Sequence, residues 1–490
     1  MKTSNRKTFK CLLTIANAGL IIGIFLLTYN LKSHRATGDR FLINDVGSNE
    51  FVRGDFDNNG LIDITDILLS LEYQFLTLEI PTCLAAVDAD DSGLIDVTDA
   101  IVLLEYLFLD GTPLPPPFPD PGVDPTPDLG CREKPLGELP EVNSYGGPDR
   151  EMDAEDALSW LRGRAFFDKG IGVTGGLGPL FNGDSCRGCH LDPVVGGSGG
   201  LDVDVVLFAY ADVVGNISQL DTGPAASRLA IEGFARDEQH LDANVIETRQ
   251  TPTLLGLGLV DRIPDEVLLA NADPGDMDGD GISGEARMVG ERVGRFGHKS
   301  GVPTLIDFTA DALFNEIGLT VNPVHSTFAG ESDSDDIPDP EVNDQDFFDM
   351  AFFISHLAPP PRVFPANDAA LEARINAGEG RFAMAGCTGC HIPELAGADG
   401  PVRAYSDFLL HDVADPAKYY VNEGDIEPRE FRTAPLWGLR DTGPYMHDGS
   451  AVTIRAAINA HHGEAEDARI QFNAMTFSER GTIIDFLESL

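Results

Sequence analysis

The stretches Cys186-Arg187-Gly188-Cys189-His190 and Cys387-Thr388-Gly389-Cys390-His391 decide the organisation of this chain of 490 residues. Both read C-x-x-C-H, the pattern in which two thiols attach to a haem and the adjacent histidine supplies an axial iron ligand. A single copy would also fit a zinc or dithiol redox motif. Two copies favour two covalent c-type haems, held by Cys186, Cys189, Cys387 and Cys390, with His190 and His391 as axial ligands.

Acidic residues dominate the composition. The chain has 80 Asp and Glu against 34 Lys and Arg, for a formal net charge of -46. Such a chain is repelled by phosphate backbones, so no nucleic-acid partner is expected. The acidic balance suits a small basic redox protein as electron donor or acceptor. The length and the 42% hydrophobic content predict several domains with real cores.

The amino terminus has a basic stretch, residues 1–10, followed by an uncharged and mostly apolar stretch, residues 11–31. This order is typical of an export signal or a membrane anchor, and both alternatives stay open. We therefore expect an exported protein, in the periplasm or another extracytoplasmic location. If the leader is retained, residues 11–31 anchor the protein to the membrane.

Residues 55–66 and 88–99 form an internal repeat, DFDNNGLIDITD and DADDSGLIDVTD, and an apolar helical run follows each copy. Oxygen-bearing side chains occupy positions 1, 3, 5, 9 and 12, the spacing of an EF-hand calcium loop. The predicted ligands are Asp55, Asp57, Asn59, Asp63 and Asp66 in the first loop, and Asp88, Asp90, Ser92, Asp96 and Asp99 in the second. With Asp at position 12, the pair resembles a dockerin type I module. That resemblance implies either a cohesin-like scaffold as partner or a calcium-stiffened spacer.

The predicted fold class is mainly α: two cytochrome c-like haem domains with long loops, preceded by a small helical dockerin-like calcium module and a Pro-rich linker. We place the leader at 1–35, the calcium module at 50–110, the linker at 111–148, and the haem domains at 149–365 and 366–490. Prolines concentrated at 113–127 predict a stiff, extended linker, and those at 359–365 mark the boundary between the haem domains. Cys83 and Cys131 either pair as a disulfide or remain free thiols.

Several segments outside the haem motifs carry a family resemblance. They include GLGPLFNGDSCRGCH (176–190), RQTPTLLGLGLVDRIPDEVLLA (249–270), DGDGISGEARMVGERVGRFGHKSGVPTL (278–305) and FRTAPLWGLRDTGPYMHDGSAVTIRAAINAHHGEA (431–465). Together they resemble the di-haem oxidoreductase family, which is peroxidase-like and also called thiol oxidoreductase-like. This family is related to bacterial di-haem cytochrome c peroxidases, and the resemblance covers residues 150–490.

The resemblance implies further ligands. His461 stands where di-haem peroxidases carry the distal methionine of the second haem, so a His391/His461 pair of axial ligands is implied. Thr442 and Pro444 match positions whose backbone carbonyls hold a calcium ion between the haems. Independently of the family, Asp276, Asp278 and Asp280 have the spacing of half an EF-hand loop and are candidate calcium ligands.

The sequence does not define a single distal ligand for the first haem. One alternative is that this iron has no distal protein ligand; if it has one, His298 is the first choice, and His240, Met288 and His325 are the other candidates. Glu316 is the candidate acid/base residue, because its segment is similar to the distal region of the peroxidases.

These observations favour an enzyme: an exported di-haem c-type oxidoreductase, peroxidase-like, that reduces hydrogen peroxide or oxidises a substrate while electrons pass between the haems. The alternative is a non-catalytic electron-transfer di-haem cytochrome, tethered through its dockerin-like module.

Overall fold

The computed structural model describes residues 51–56, 62–75, 83–109, 111–119, 122, 125, 136, 138–218, 220, 225–231, 233–234, 241–330, 332–333, 335, 337–424 and 426–490. Its helices are α1 Ile64–Phe75, α2 Leu84–Val87, α3 Val97–Phe108, α4 Ala154–Asp168, α5 Cys186–Cys189, α6 Leu257–Asp261, α7 Asp265–Leu269, α8 Leu305–Ala312, α9 Asp344–Ser355, α10 Ala369–Met384, α11 Ile454–Asn459, α12 Glu466–Ala474 and α13 Phe477–Leu487. A π-helical segment, Leu313–Ile317, continues α8. The strands are β1 Leu180–Phe181, β2 Val205–Ala211, β3 Ile217–Ser218, β4 Ala225–Ala226, β5 Leu229–Ala230, β6 Val245–Arg249, β7 Met288–Val289, β8 Arg292–Val293, β9 Leu395–Gly397, β10 Gly400–Val402, β11 Leu410–Asp412 and β12 Glu430–Arg432.

Some of the predicted features fall outside these ranges. They are the leader (1–35), Asp57, Asn59, His240 and Cys131. Within the described ranges, no helix is long and apolar enough to cross a membrane.

Two long helices precede the two haem motifs, and each crosses a later helix at a glycine. In α4, a Cβ on Gly163 would lie 1.9 Å from the carbonyl oxygen of Asp349 in α9. In α10, a Cβ on Gly378 would lie 1.9 Å from the carbonyl oxygen of Thr482 in α13. Only glycine allows the backbones to approach this closely. The two halves therefore share one helix-crossing arrangement, and each crossing positions the cysteine motif that follows it.

A small antiparallel sheet joins β2 to β3, β4 and β6. In its longest ladder, Val205 pairs with Arg249 and Leu207 with Glu247. Alternate residues of β6 are buried, which is the pattern of a strand with one face on a core. A second pair, β11 with β12, sets His411 opposite Phe431. These strands were not predicted from the sequence, and β11 places His411 next to Cys390 of the second haem motif.

The beginning of the predicted linker packs against the calcium module. Leu114 is buried in the same core as α1 and α3. The Phe118 ring meets Tyr106 edge-on, with ring centroids 5.2 Å apart, and Arg53 Nε donates to the Pro116 carbonyl at 3.0 Å. This part of the linker differs from the extended spacer expected from its prolines, because the apolar side chains between them bury area on the module.

The described residues belong to one compact unit, Glu50–Leu490, with several separate cores. The largest core is built from the first haem half but also includes Phe408 and Trp437 of the second. The second half has its own core around Phe382 and Phe486. Side chains from beyond residue 365 thus complete the first core. Cys83, in the calcium module, is disulfide-bonded.

Candidate haem-binding sites

The first motif forms the short helix α5. Ser185 caps it by accepting from Gly188 N at 3.3 Å, and His190 follows with its backbone N–H donating to the Cys186 carbonyl at 3.0 Å. His190 Nδ1 lies 3.1 Å from the Gly197 carbonyl. A histidine that donates from Nδ1 presents its Nε2 lone pair to a metal. Burial lowers the pKa of His190 to about 4, so the ring is neutral.

The second motif repeats this arrangement. Cys387 begins the 3₁₀ turn Cys387–Gly389 and Cys390 caps its end, and the backbone N–H of His391 donates to the Cys387 carbonyl at 3.0 Å. His391 Nδ1 lies 2.8 Å from the Tyr405 carbonyl. Burial lowers the pKa of His391 to about 4.

A phenylalanine from the preceding helix stands beside each of these histidines. Phe167 lies 6.4 Å from the His190 ring and Phe382 lies 6.1 Å from the His391 ring, measured between centroids. Two equivalent apolar sites therefore each present one neutral imidazole.

The donor chemistry fits covalent haem. The four motif cysteines are free of disulfides. Burial raises the thiol pKa to about 12 for Cys186, about 11 for Cys189 and about 12 for Cys387. Zinc needs thiolates, which this burial disfavours, whereas a haem thioether is neutral. Paired neutral sulfurs next to an anchored imidazole are what a c-type haem requires.

His461 is the predicted second axial ligand of the second haem. It follows α11, and its Nδ1 lies 2.7 Å from the Ala457 carbonyl, which again leaves Nε2 as the nitrogen available to a metal. Burial lowers the pKa of His461, and its ring contributes electrostatically to the lowered pKa of His391. The two histidines that the resemblance pairs as axial ligands therefore lie within electrostatic range of each other, and their pairing stays a prediction.

Glu316 lies beside the first pair of cysteines. Its carboxylate contributes to the raised pKa of both Cys186 and Cys189. Glu316 Oε2 accepts from Asn182 Nδ2 at 2.7 Å. Burial raises the pKa of Glu316, and the Asn182 hydrogen bond only partly offsets this effect. The acid/base candidate is therefore held at the first site, by an asparagine that sequence reasoning missed.

His298 is oriented differently from the axial histidines. Its Nε2 lies 3.1 Å from the Gln250 carbonyl, so Nδ1 is the nitrogen left for any metal. Burial and the nearby charges of Arg249 and His447 keep its pKa well below the usual range. Phe431 stacks on His447 with centroids 3.8 Å apart, and His298 belongs to this buried polar cluster between the two halves.

The other distal candidates with described positions lie elsewhere. Met288 is half exposed, and His325 forms an ion pair with Asp344 at 2.9 Å. Trp160 and Trp437 are buried in the largest core, consistent with packing.

A buried carboxylate–imidazole cluster adjoins Cys390 and was also missed. His411 Nε2 lies 2.9 Å from Asp407 Oδ2, and its Nδ1 lies 2.7 Å from Glu464 Oε2. Burial lowers the pKa of His411. Hydrogen bonds, chiefly the one with Asp407, outweigh burial and raise this pKa to about 12. Because both nitrogens face carboxylates, the protonated form of the His411 ring is favoured. The cluster fixes the loop that follows the second motif.

The acidic loop at 273–283 gathers carboxylates. Oxygens of Asp273, Asp276 and Asp278 lie within 4.8 Å of one another, while Asp280 accepts from Ile282 N at 2.8 Å. Asp273 was not predicted from the half-loop spacing. Thr442 and Pro444 lie half-buried in the turn before Tyr445, and their predicted role as calcium ligands stays a prediction.

Comparison with known proteins identifies the family. Residues 236–490 match the family model "Di-haem oxidoreductase, putative peroxidase". This match covers more than half of the chain, so the protein belongs to the di-haem oxidoreductase family, and the family implies two c-type haems.

A curated relative agrees with this assignment. Over 150 residues the chain is 27% identical to the methylamine utilization protein MauG of Methylorubrum extorquens AM1. That match spans 28% of this chain and 40% of the length of MauG.

Two solved structures are similar at lower levels. The hydrazine synthase of Kuenenia stuttgartiensis aligns with 74% of this chain and 96% of its own, at 16% identity and a TM-score of 0.36. A MauG-like protein associated with microbial copper homeostasis aligns over 72% of this chain and 94% of its own chain, at 16% identity and a TM-score of 0.33. Both scores are too low to establish a shared fold.

Proposed function

We propose that this protein is an exported di-haem c-type oxidoreductase that reduces hydrogen peroxide, with electrons passing from the haem of the second motif to that of the first. The observation that carries the proposal is the asymmetry between the sites. At the second motif a second buried histidine, His461, lies within electrostatic range of His391, whereas at the first motif a carboxylic acid, Glu316, lies beside the cysteines. One site is built for two axial nitrogens and the other for proton transfer.

Reduction of one hydrogen peroxide consumes two electrons and two protons and yields two waters. A c-type haem at the first motif would supply the iron centre and accept the electrons. Glu316 supplies the acid/base function: because its pKa is raised, it can take a proton from one peroxide oxygen and return it to the other. Asn182 keeps the carboxyl in one orientation by donating to Oε2.

The second site is suited to electron transfer. His391 and His461 are both anchored through Nδ1 to backbone carbonyls, so both offer Nε2 with little reorganisation. A haem held by two histidines would have no free ligand position for peroxide and would have a lower reduction potential than one held by a His/Met pair. The acidic chain, at -46, suits a small basic redox protein as the electron donor.

Substitution of Glu316 tests the function. Glu316→Gln keeps the Asn182 hydrogen bond but removes the ionisable group, so peroxide turnover should fall by roughly 10²–10⁴-fold. Turnover is measured with a reduced redox dye after both haems have been counted by absorbance. Glu372→Gln, which changes an exposed carboxylate in α10, is the matched control. Unchanged turnover in Glu316→Gln, or a wild-type protein inert to peroxide, would favour a pure electron-transfer cytochrome instead.

The calcium module belongs to the proposal as a dockerin-like unit. Carboxylate oxygens of Asp88, Asp90 and Asp99 lie within 4.8 Å of one another, and Asp88 and Asp99 are fully buried. Burial raises the pKa of Asp99 to about 6, with repulsion from Asp90 and Asp88 adding to the rise. Converging buried carboxylates are stabilised by a hard cation such as calcium. This supports a calcium-dependent module whose partner would be a cohesin-like scaffold.

A further inference from the structure

His411 is a buried histidine to which the proposed function gives no role, and it touches the second haem motif directly. Its Nδ1 lies 3.5 Å from Cys390 Sγ and forms a hydrogen bond with it. In a c-type site this sulfur becomes a thioether of the haem. At the first motif no described side chain forms a hydrogen bond with the corresponding sulfur, that of Cys189. The two motifs therefore differ in what faces their second cysteine.

Two carboxylates fix the His411 ring against that sulfur. Asp407 Oδ2 lies 2.9 Å from Nε2, and Glu464 Oε2 lies 2.7 Å from Nδ1. Both ring nitrogens can donate to these acceptors only when the imidazole is protonated. The arrangement therefore favours a positive charge in contact with Cys390.

Neither carboxylate depends on the imidazole alone for its own charge. Glu464 Oε1 accepts from Ser283 Oγ at 2.6 Å, and Oε2 accepts from Ser283 N at 3.1 Å. Asp407 Oδ1 accepts from Leu409 N at 3.0 Å. Hydrogen bonds of this kind favour the ionised form of a carboxylate. Removal of the charge on His411 should therefore leave both carboxylates ionised.

The cluster is shielded from solvent and continuous with the predicted axial ligand of the second motif. Asp407 and His411 are both buried. The backbone N–H of Asp407 donates to the Cys390 carbonyl at 3.0 Å, and two residues earlier the Tyr405 carbonyl lies 2.8 Å from His391 Nδ1. Charges interact more strongly in a protein interior than in water. A change of charge on His411 should therefore be felt at the haem of the second motif.

We propose that His411 raises the reduction potential of the haem of the second motif by holding a positive charge against the Cys390 sulfur, with Asp407 and Glu464 fixing the ring. Reduction adds one electron from the redox partner, and with it one negative charge, to the haem bonded to that sulfur. A positive charge nearby stabilises the reduced form. No covalent bond changes. The inference needs the two haems that the family implies, but it does not need the peroxidase activity.

The test is a spectroelectrochemical titration of the full-length holoprotein at pH 7, without peroxide, after both haems have been counted by absorbance. His411→Gln removes the charge but keeps a polar side chain. The equilibrium constant for reduction of one haem should fall about tenfold, which is about 59 mV for one electron, while that of the other haem stays the same. His411→Lys restores the charge and should bring the potential back towards wild type. Glu372→Gln, which changes an exposed carboxylate in the same half, should leave both potentials unchanged.

A measurement on the wild-type protein covers the case in which a variant loses haem. At pH 8 an ordinary histidine is neutral, whereas His411 should still be protonated. In protein labelled with ¹⁵N-histidine, the infrared difference spectrum between the oxidised and reduced states should therefore contain bands of a protonated histidine. Absence of such bands would overturn the proposal.

The outcomes separate this inference from the proposed function. The inference is wrong if His411→Gln keeps both wild-type potentials, if His411→Gln and His411→Lys shift one potential equally, or if both haems shift together. A wild-type protein that is inert to peroxide would refute the proposed function. Because the potentials are measured without peroxide, that result would leave the role of His411 standing.

Discussion

Replacement of Asp99 by asparagine should have opposite effects on the calcium module with and without calcium. Asp99 is fully buried, and its pKa rises from 3.8 to about 6, chiefly through burial. At pH 7 the ionised carboxylate therefore costs the calcium-free fold about 3 kcal/mol, at about 1.4 kcal/mol per tenfold change in proton affinity. Asp99→Asn removes this cost.

The substitution also weakens a helix cap. Asp99 Oδ2 accepts from Asp96 N at 2.8 Å within the capping box of α3, and this hydrogen bond contributes about 1 kcal/mol. The net expectation without calcium is a gain of about 2 kcal/mol at pH 7. The folded pKa is raised, so the folded state binds more protons between pH 3.8 and about 6. The free-energy cost of the ionised Asp99 carboxylate is therefore complete above pH 6 and absent below pH 3.8. The stability gained by Asp99→Asn should accordingly vanish near pH 3.

With calcium the sign reverses, because Asp99→Asn removes a charged ligand. Hydrogen exchange followed by mass spectrometry on α3 of the full-length protein, in calcium and in EDTA, measures both effects. Glu105→Gln, an exposed substitution on the same helix, is the control. If Asp99→Asn destabilises α3 equally in calcium and in EDTA, this explanation is wrong. It is also wrong if hydrogen exchange in α3 of the wild-type protein is the same with and without calcium.

Two further substitutions test the haem half of the account. His461→Ala should convert the haem of the second motif from low-spin to high-spin without loss of the covalent attachment at Cys387 and Cys390; an unchanged low-spin spectrum would exclude His461 as a ligand. Gly378→Ala should destabilise the protein by about 1–3 kcal/mol, because its Cβ would lie 1.9 Å from the Thr482 carbonyl oxygen; a thermal unfolding midpoint equal to that of wild type would contradict the helix crossing.

Sequence reasoning reached furthest where chemistry constrains the spacing of residues. The C-x-x-C-H motifs need two thiols and an adjacent imidazole within five residues, so they can be read directly. The family assignment implied by the surrounding segments is confirmed by the match over residues 236–490. The pairing of His461 with His391 and the acid/base role of Glu316 came from that resemblance, and they stay predictions.

What the sequence hid depends on contacts between distant segments. Asn182 is 134 positions from the Glu316 carboxyl that it orients, and Glu464 is 53 positions from His411. No local pattern encodes such pairs. The β2–β6 ladder was missed because it pairs Val205–Ala211 with Val245–Arg249, which are far apart in the sequence.

The most direct test of the central claim is the electron paramagnetic resonance spectrum of the fully oxidised full-length protein before and after addition of peroxide. The account predicts one low-spin haem with two histidine ligands and one high-spin haem, of which only the high-spin signal changes with peroxide. Two low-spin signals that do not change when peroxide is added, or a signal from only one haem, would contradict this prediction.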